Sequence, residues 1–306
     1  MYPSFETFDI NTNAPVTIHG VRGGTGPPML LLHGFPQTHW IWHKIADRLA
    51  QHFTLVIPDL RGYGASSKPA NKENPHDHSL YAKSTMAIDL HDIMTELGFS
   101  EYYVVGHDRG GRVAHKLCVD FPQDVKKCLL LDICPTLAMF EAMNLTRATA
   151  YWHWLFLIQP TPFPEEMILA KPAAFAKKLL QGLPKGGKSG GDVQVFSDEA
   201  YAEYERLLGD PATVHTMCED YRASATQDME ESRADIKAGR KIKCPLRVIW
   251  GKHGLIEKEF NAIEEWQKVT EDGLVDKKSG AVDCGHFIPE EAPEDTLEHI
   301  LDFFRE

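Results

Sequence analysis

The chain lacks long apolar runs and blocks of basic residues. No apolar stretch among its 306 residues approaches the length that spans a bilayer, and the first residues have neither the basic start nor the apolar centre of an export signal. A formal net charge of -12 disfavours nonspecific binding to nucleic acid or to an anionic membrane. We therefore expect a cytoplasmic protein whose partner is a small molecule, without nucleic acid or membrane partners.

Cysteine is sparse, and no two cysteines form a Cys-x-x-Cys pair. Several lie inside apolar runs, which is typical of packed thiols in a reducing compartment rather than of a disulfide framework. The histidine pairs His39/His43 and His76/His78 lack Cys or carboxylate partners at ligand spacing. We therefore expect these histidines to lie at the surface and to bind no metal. The six cysteines are Cys118, Cys128, Cys134, Cys218, Cys244 and Cys284.

Short apolar runs of strand length alternate with helical patterns such as Tyr81–Leu97. This alternation predicts an α/β fold, in which a mostly parallel sheet is flanked by helices. The candidate strands are Met29–Leu32, Thr54–Ile57, Tyr102–Val105, Lys127–Leu131 and Leu246–Trp250.

Between residues 137 and 236 the pattern changes to aromatic, Ala-rich and charged helical stretches without a buried strand. We interpret 137–236 as a helical cap inserted between two core segments, 1–136 and 237–306. The glycine-rich stretch 185–191 within it has the composition of a flexible loop. Residues 182–189 also satisfy the phosphate-loop pattern, but they follow a helical segment instead of a buried strand, which argues against a nucleotide site.

Residues 106–110, Gly-His-Asp-Arg-Gly, have the pattern of a nucleophile elbow that carries Asp108 in place of serine. Small residues on both sides allow a tight strand-to-helix turn with the central side chain exposed. Because a carboxylate displaces a leaving group from carbon and becomes an ester, it predicts substrates with an electrophilic carbon, such as halides or epoxides. An ordinary glycine-containing loop is the alternative for these five residues alone.

We expect the hydrolytic base and its acid partner on loops that follow Asp108 in the chain. His286 lies in a Gly-His-Phe turn before the C-terminal helical segment, although a plain turn histidine is the alternative. The loop after Leu246–Trp250 has no carboxylate before Glu257, whereas Lys127–Leu131 ends with Asp132. We predict that Asp132 orients His286; a turn or helix-cap aspartate is its alternative role.

Arg109 and Arg112 lie one turn apart near a helix N-terminus, where the helix dipole disfavours cations. A substrate carboxylate beside Asp108 would explain them, because guanidinium groups bind carboxylates bidentately. Structural salt bridges to acids of the cap are the alternative.

The cap stretch 151–156, Tyr-Trp-His-Trp-Leu-Phe, is rich in aromatic N–H and O–H donors. Aromatic residues on a helix most often serve packing. His153 and Trp154 could nevertheless both donate to a departing halide, and Tyr221 is a third candidate donor.

In combination these motifs resemble the fluoroacetate dehalogenases of the α/β-hydrolase superfamily, in core and cap alike. The resemblance implies that fluoroacetate and water yield glycolate and fluoride through an aspartyl ester, without a cofactor. It implies Asp108 as nucleophile, His286 as base and Asp132 as its partner. The glycine-rich stretch 185–191 departs from the family pattern. The other implied roles are carboxylate binding by Arg109 and Arg112, halide binding by His153, Trp154 and Tyr221, and backbone N–H donation by Phe35 and Arg109.

Two other functions stay open at this point. An epoxide hydrolase would use the same Asp-His-Asp arrangement, with Tyr151 and Tyr221 protonating the epoxide oxygen. A noncatalytic ligand-binding protein on this fold is the alternative from a different class. A homodimer is a further expectation.

Overall fold

The computed structural model describes residues 2–13, 16–71, 73–180 and 195–305. The glycine-rich stretch 185–191 and the phosphate-loop match at 182–189 lie outside the described residues. Within the described part of the chain no helix is long and apolar enough to cross a membrane.

Eight strands form one sheet in the order β1-β2-β4-β3-β5-β6-β7-β8. Strands β1, β2 and β4 pair antiparallel, and all pairs from β4 through β3 to β8 are parallel. This confirms the expected α/β fold with a mostly parallel sheet. The strands are β1 (Glu6–Asn11), β2 (Thr17–Gly24), β3 (Pro28–Leu32), β4 (Thr54–Pro58), β5 (Tyr102–His107), β6 (Val125–Leu131), β7 (Leu246–Gly251) and β8 (Gly280–Val282).

Helices cover both faces of the sheet, so most residues of its central strands are apolar and buried. Two 3-10 helices span His39–Trp42 and Ser79–Tyr81. The α-helices of the core are α1 (Ala46–Leu49), α2 (Lys83–Glu96), α3 (Asp108–Asp120), α12 (Leu255–Glu259), α13 (Ala262–Lys268), α14 (Ile288–Glu291) and α15 (Pro293–Phe304).

The described residues between β6 and β7 form helices and no strand. One of these helices, α10, is buried along most of its length. The helices are α4 (Thr136–Glu141), α5 (Leu145–Ala150), α6 (Trp152–Leu157), α7 (Phe163–Ala170), α8 (Pro172–Leu180), α9 (Asp198–Leu207), α10 (Pro211–Ala225) and α11 (Gln227–Ala238).

Side chains alternate between the two buried faces of the sheet. Leu30 and Val104 pack on the side of α2 and α3, whereas Leu31 and Val105 pack with α15 on the other side. The register pairs Leu32 with Gly106, and one residue further along β5, His107 pairs with Leu131. The carboxyl ends of β3, β5, β6 and β7 therefore meet at one edge, where sheets of this type place their sites.

Candidate active site

The turn between β5 and α3 holds Asp108 in a left-handed backbone conformation, with φ of +47°. A Cβ on Gly106 would lie 2.7 Å from the Cα of Gly111, and a Cβ on Gly110 would lie 2.3 Å from the carbonyl oxygen of His33. Only glycine fits at either position. The small residues of the motif therefore allow the tight turn that aims the Asp108 side chain away from the sheet.

Asp108 is buried and accepts a hydrogen bond of 3.0 Å from the backbone N–H of Phe35 on its Oδ1. Gly34 permits this approach, because a Cβ there would lie 2.9 Å from the same oxygen. Burial raises the pKa of Asp108, but the charges of His286 and His107, and then of the arginines, outweigh it and lower the pKa to about 2. The carboxylate is therefore ionised at neutral pH, as a nucleophile must be.

His286 lies between the two predicted carboxylates. Its Nδ1 is 2.5 Å from Oδ2 of Asp132, and its Nε2 is 3.8 Å from Oδ2 of Asp108. Burial lowers the pKa of His286, but the hydrogen bond and charge of Asp132, followed by the charge of Asp108, raise it to about 9. The structure thus brings together the three residues that the sequence proposes as nucleophile, base and acid.

Asp132 follows β6 directly and has φ of +52°. Its Oδ1 accepts a hydrogen bond of 2.9 Å from the backbone N–H of Gly251, so both carboxylate oxygens are engaged. Glu257, the first carboxylate after β7, accepts from the indole N–H of Trp250 at 2.5 Å instead. The carboxylate that contacts His286 therefore comes from the loop after β6.

A cavity of about 270 Å³ lies in front of Asp108 and His286, beneath α6 and α10. His153, Trp154 and Tyr221 line it, together with Tyr151. None of these four side chains donates a hydrogen bond to another described residue. Burial is the main cause that lowers the pKa of His153 to about 3 and raises the pKa of Tyr221. The cavity therefore presents neutral aromatic donors without protein partners beside an ionised carboxylate.

The guanidinium group of Arg109 is turned towards Asp220 on α10. Its Nε and Nη2 donate to the two carboxylate oxygens of Asp220 at 3.0 and 2.7 Å. Nη1 is buried and has no hydrogen-bond partner among the described residues. This side chain thus forms the salt bridge to a cap acid that was the alternative prediction, and Nη1 is the one guanidinium nitrogen that takes no part in these contacts.

Arg112 donates through Nη1 to the Cys134 carbonyl at 3.2 Å and the Thr136 hydroxyl at 3.0 Å, while its Nε has no partner among the described residues. Neither arginine is among the residues that line the cavity. Instead the Arg109 guanidinium lies 4.3 Å from the ring centre of Tyr221, and that of Arg112 lies 4.8 Å from the indole of Trp154. The arginines therefore lie directly behind two of the aromatic donors.

Two polar residues of this region were given no role from sequence, namely Asp220 and Lys83. Lys83 on α2 forms a buried ion pair with Asp220, and no motif marks either residue. Among the described residues, no group of three or more His, Cys, Asp or Glu side chains is placed to hold a metal ion.

Comparison with known proteins places this site in a family. A model described as alpha/beta hydrolase fold matches residues 27–293. The chain is 41% identical over 303 residues to a fluoroacetate dehalogenase of Burkholderia sp, covering 99% of this chain and 95% of that protein. It is 31% identical over 289 residues to a soluble epoxide hydrolase of Corynebacterium sp. (strain C12), covering 94% of this chain and 93% of that protein.

A solved structure, a putative alpha/beta hydrolase from Nostoc sp PCC 7120, superposes on the chain with a TM-score of 0.92 at 46% identity. The alignment covers 100% of both chains. Fold, elbow and family model agree: the chain belongs to the α/β-hydrolase fold family and is a hydrolase.

Proposed function

We propose that this hydrolase removes the halogen from haloacetates, converting fluoroacetate and water to glycolate and fluoride through an ester on Asp108. The observation that carries the proposal is the set of neutral aromatic donors, His153, Trp154 and Tyr221, that line the Asp108 cavity without protein partners. Buried donors are normally paired, so an unpaired set facing a cavity indicates a ligand with acceptors. The high identity to a fluoroacetate dehalogenase supports the same substrate class.

In the first step an Asp108 oxygen attacks the CH2 carbon and expels the halide. Phe35 donates its N–H to Oδ1, so Oδ2 is the oxygen without a backbone donor and the natural nucleophile. Fluoride is a poor leaving group because its charge is concentrated as the bond breaks. Donors fixed around the departing fluorine stabilise that charge in the transition state without having to reorganise.

The substrate carboxylate brings a second negative charge close to Asp108. Arg112 forms no ion pair with a described residue and supplies opposing positive charge, whereas Asp220 balances the charge of Arg109. The N–H groups left to bind the substrate carboxylate are Arg109 Nη1 and Arg112 Nε, which have no partner among the described residues. The resemblance supports both arginines as the carboxylate-binding residues, and their unpartnered N–H groups agree with that role, although neither arginine lines the cavity. An unpaired buried N–H costs about 1–3 kcal/mol, which binding of an acceptor would recover.

In the second step His286 takes a proton from water, which attacks the Asp108 ester and releases glycolate. Asp108 loses its negative charge when it becomes an ester, and that charge is one of the causes that raise the pKa of His286. Alkylation therefore lowers the pKa of the base at the stage where the neutral imidazole is needed. Asp132 keeps the ring oriented and stabilises the imidazolium that forms.

The helices between β6 and β7 are proposed to act as a cap domain, with the boundaries 137–236 expected from sequence. They carry His153, Trp154 and Tyr221 over the core residue Asp108. Such a cover keeps bulk water away from the developing charge and strengthens each electrostatic contact within the cavity.

Epoxide hydrolysis is the second candidate, and one observation favours it. Tyr151 and Tyr221 both line the cavity, so their hydroxyl groups could protonate an epoxide oxygen. A relative named soluble epoxide hydrolase, at 31% identity, is consistent with this activity. The paired arginines behind the cavity favour an anionic substrate instead.

The deciding experiment measures fluoride and chloride release from fluoroacetate and chloroacetate, and diol formation from styrene oxide, with the same preparation. Asp108→Asn is the matched control, because Asn tolerates left-handed backbone but is not a carboxylate nucleophile. We expect halide release that this variant abolishes. Styrene oxide turnover without halide release would replace the proposal by epoxide hydrolysis, and a folded protein that turns over none of the three would overturn both candidate functions.

A further inference from the structure

Asp220 is the most completely engaged carboxylate behind the cavity. It is fully buried on α10 and accepts from Arg109 Nε at 3.0 Å, from Arg109 Nη2 at 2.7 Å and from the Tyr63 hydroxyl at 2.6 Å. Lys83 forms an ion pair with its other side. The backbone carbonyl of Asp220 also accepts from Arg109 Nη2, at 2.9 Å.

These contacts leave Arg109 a single orientation. The planar guanidinium is held along the edge that carries Nε and Nη2, and the Ser224 hydroxyl accepts a further bond from Nη2. Only Nη1 has no partner among the described residues. The residue after Asp220 is Tyr221, and the guanidinium lies 4.3 Å from the centre of its ring.

We propose that Asp220 is a positioning residue for haloacetate hydrolysis: it fixes Arg109 so that Nη1 faces the substrate carboxylate, and it places Tyr221 against the same guanidinium. The inference rests on the proposed function and adds a residue to it. Asp220 touches neither substrate nor nucleophile and acts through Arg109.

The charges around Asp220 balance one another. Lys83 shares its carboxylate, and the second acid, Asp228, lies 3.5 Å from Lys83 Nζ. Two cations, Arg109 and Lys83, thus face two carboxylates, so this network as a whole carries no net charge. Orientation of the remaining Arg109 N–H, rather than gross charge, is what Asp220 contributes.

The test compares a charged and a neutral substrate with the same leaving group. In a His286→Asn background, in which the ester is retained, the rate of Asp108 alkylation is followed by peptide mass for chloroacetate and for chloroacetamide. Asp220→Asn should slow alkylation by chloroacetate about 10- to 100-fold, since misplacement by about 1 Å costs on the order of 100-fold. Chloroacetamide should be affected far less, because it carries no carboxylate for Arg109.

Asp228→Asn is the matched control within the same network. The Asp228 carboxylate accepts from the Lys83 backbone N–H at 2.7 Å and from the Ser224 hydroxyl at 2.8 Å, but it does not contact Arg109. This variant should leave the preference for chloroacetate over chloroacetamide unchanged. If it reduces that preference as much as Asp220→Asn does, the network acts through its overall charge and the inference is overturned.

A double-mutant cycle tests whether Asp220 affects alkylation through Arg109. Asp220→Asn combined with Arg109→Lys should be no slower with chloroacetate than Arg109→Lys alone, whereas additive losses would overturn the inference. If Asp220→Asn does not fold, Ser224→Ala removes one acceptor of Arg109 Nη2 without changing any charge. It should produce a smaller loss confined to chloroacetate, and equal losses for both substrates would refute the positioning role.

The outcomes separate this inference from the function on which it rests. A His286→Asn parent that forms no Asp108 adduct with chloroacetate overturns the proposed function, and the Asp220 role with it. A parent that forms the adduct, together with an Asp220→Asn variant that forms it equally fast, overturns the Asp220 role alone.

Discussion

Replacing Asp132 by Asn tests directly whether the carboxylate after β6 is the acid partner of His286. The backbone conformation is retained, because Asn tolerates a φ of +52°. Asn can still accept from the Gly251 N–H, but its amide would donate to His286 Nδ1, where the carboxylate now accepts at 2.5 Å. The ring would then carry its proton on Nε2, the nitrogen that faces Asp108, and could not act as a base there.

The magnitude follows from the same contact. The pKa of His286 is raised from 6.5 to about 9, against burial and chiefly by Asp132. This corresponds to about 3 kcal/mol in favour of the imidazolium, a factor of about 300. Loss of a triad acid in serine proteases, where the wrong tautomer adds to the charge effect, costs about 10⁴ in kcat. We expect hydrolysis of the ester to slow by between these two factors, about 300- to 10⁴-fold.

Rapid-quench measurement separates the two steps with chloroacetate. Asp132→Asn should show a burst of chloride release equal to the enzyme concentration, followed by slow turnover, with an adduct on Asp108 visible by intact mass. Adding Gly254→Asp should restore part of the turnover, since a Cβ at Gly254 would lie 3.5 Å from Asp132 Oδ1 and its φ of -78° suits any residue. Steady-state turnover near that of the unchanged protein would remove Asp132 from the triad.

Three further outcomes are expected. His286→Asn should give one equivalent of halide and a stable Asp108 adduct; an unmodified protein after incubation with a substrate that the parent turns over would contradict the division into two steps. Trp154→Phe and Tyr221→Phe each delete a hydrogen-bond donor and should slow single-turnover defluorination of fluoroacetate by on the order of 100-fold. Dechlorination of chloroacetate should slow much less. Equal fractional losses for the two substrates would reject the halide site. The rate of alkylation should not change with pH well above the Asp108 pKa of about 2. The rate of ester hydrolysis should rise with pH as His286 loses its proton, and the midpoint of this rise should lie below 9, because the pKa of about 9 includes the effect of the charged Asp108. A midpoint at or above 9 would show that alkylation does not lower the pKa of His286.

The parallel part of the sheet could be predicted from sequence because each of its strands from β3 to β7 contains a short run of mostly apolar residues. All five candidate runs correspond to strands, from β3 to β7, with bounds shifted by at most two residues. Strands β1 and β2 gave no such signal: Glu6–Asn11 and Thr17–Gly24 alternate polar and buried residues and lie at the antiparallel edge. The three-residue strand β8 is too short for periodicity to reveal.

The site was predictable where a residue follows a strand directly, as Asp108 and Asp132 do, because parallel strands bring their carboxyl ends to one edge. The contacts of residues on helices were harder to predict, because a helix pattern does not reveal which partner a polar side chain contacts. Arg109 illustrates the difference. Its position near the nucleophile is visible in the sequence, but its contact with Asp220, 111 residues away, depends on how α10 packs against the core.

Asp108 and Asp132 are the only residues other than glycine with positive φ in the described part of the chain. Left-handed backbone costs a residue with a Cβ on the order of 1 kcal/mol, and Gly would avoid that cost. The steric cost is thus concentrated at the two carboxylates that the proposed chemistry requires, while the other described residues with a Cβ avoid it. Selection for heat resistance and selection for turnover therefore favour different residues at these two positions, and a stabilised variant of this enzyme should be sought elsewhere in the chain.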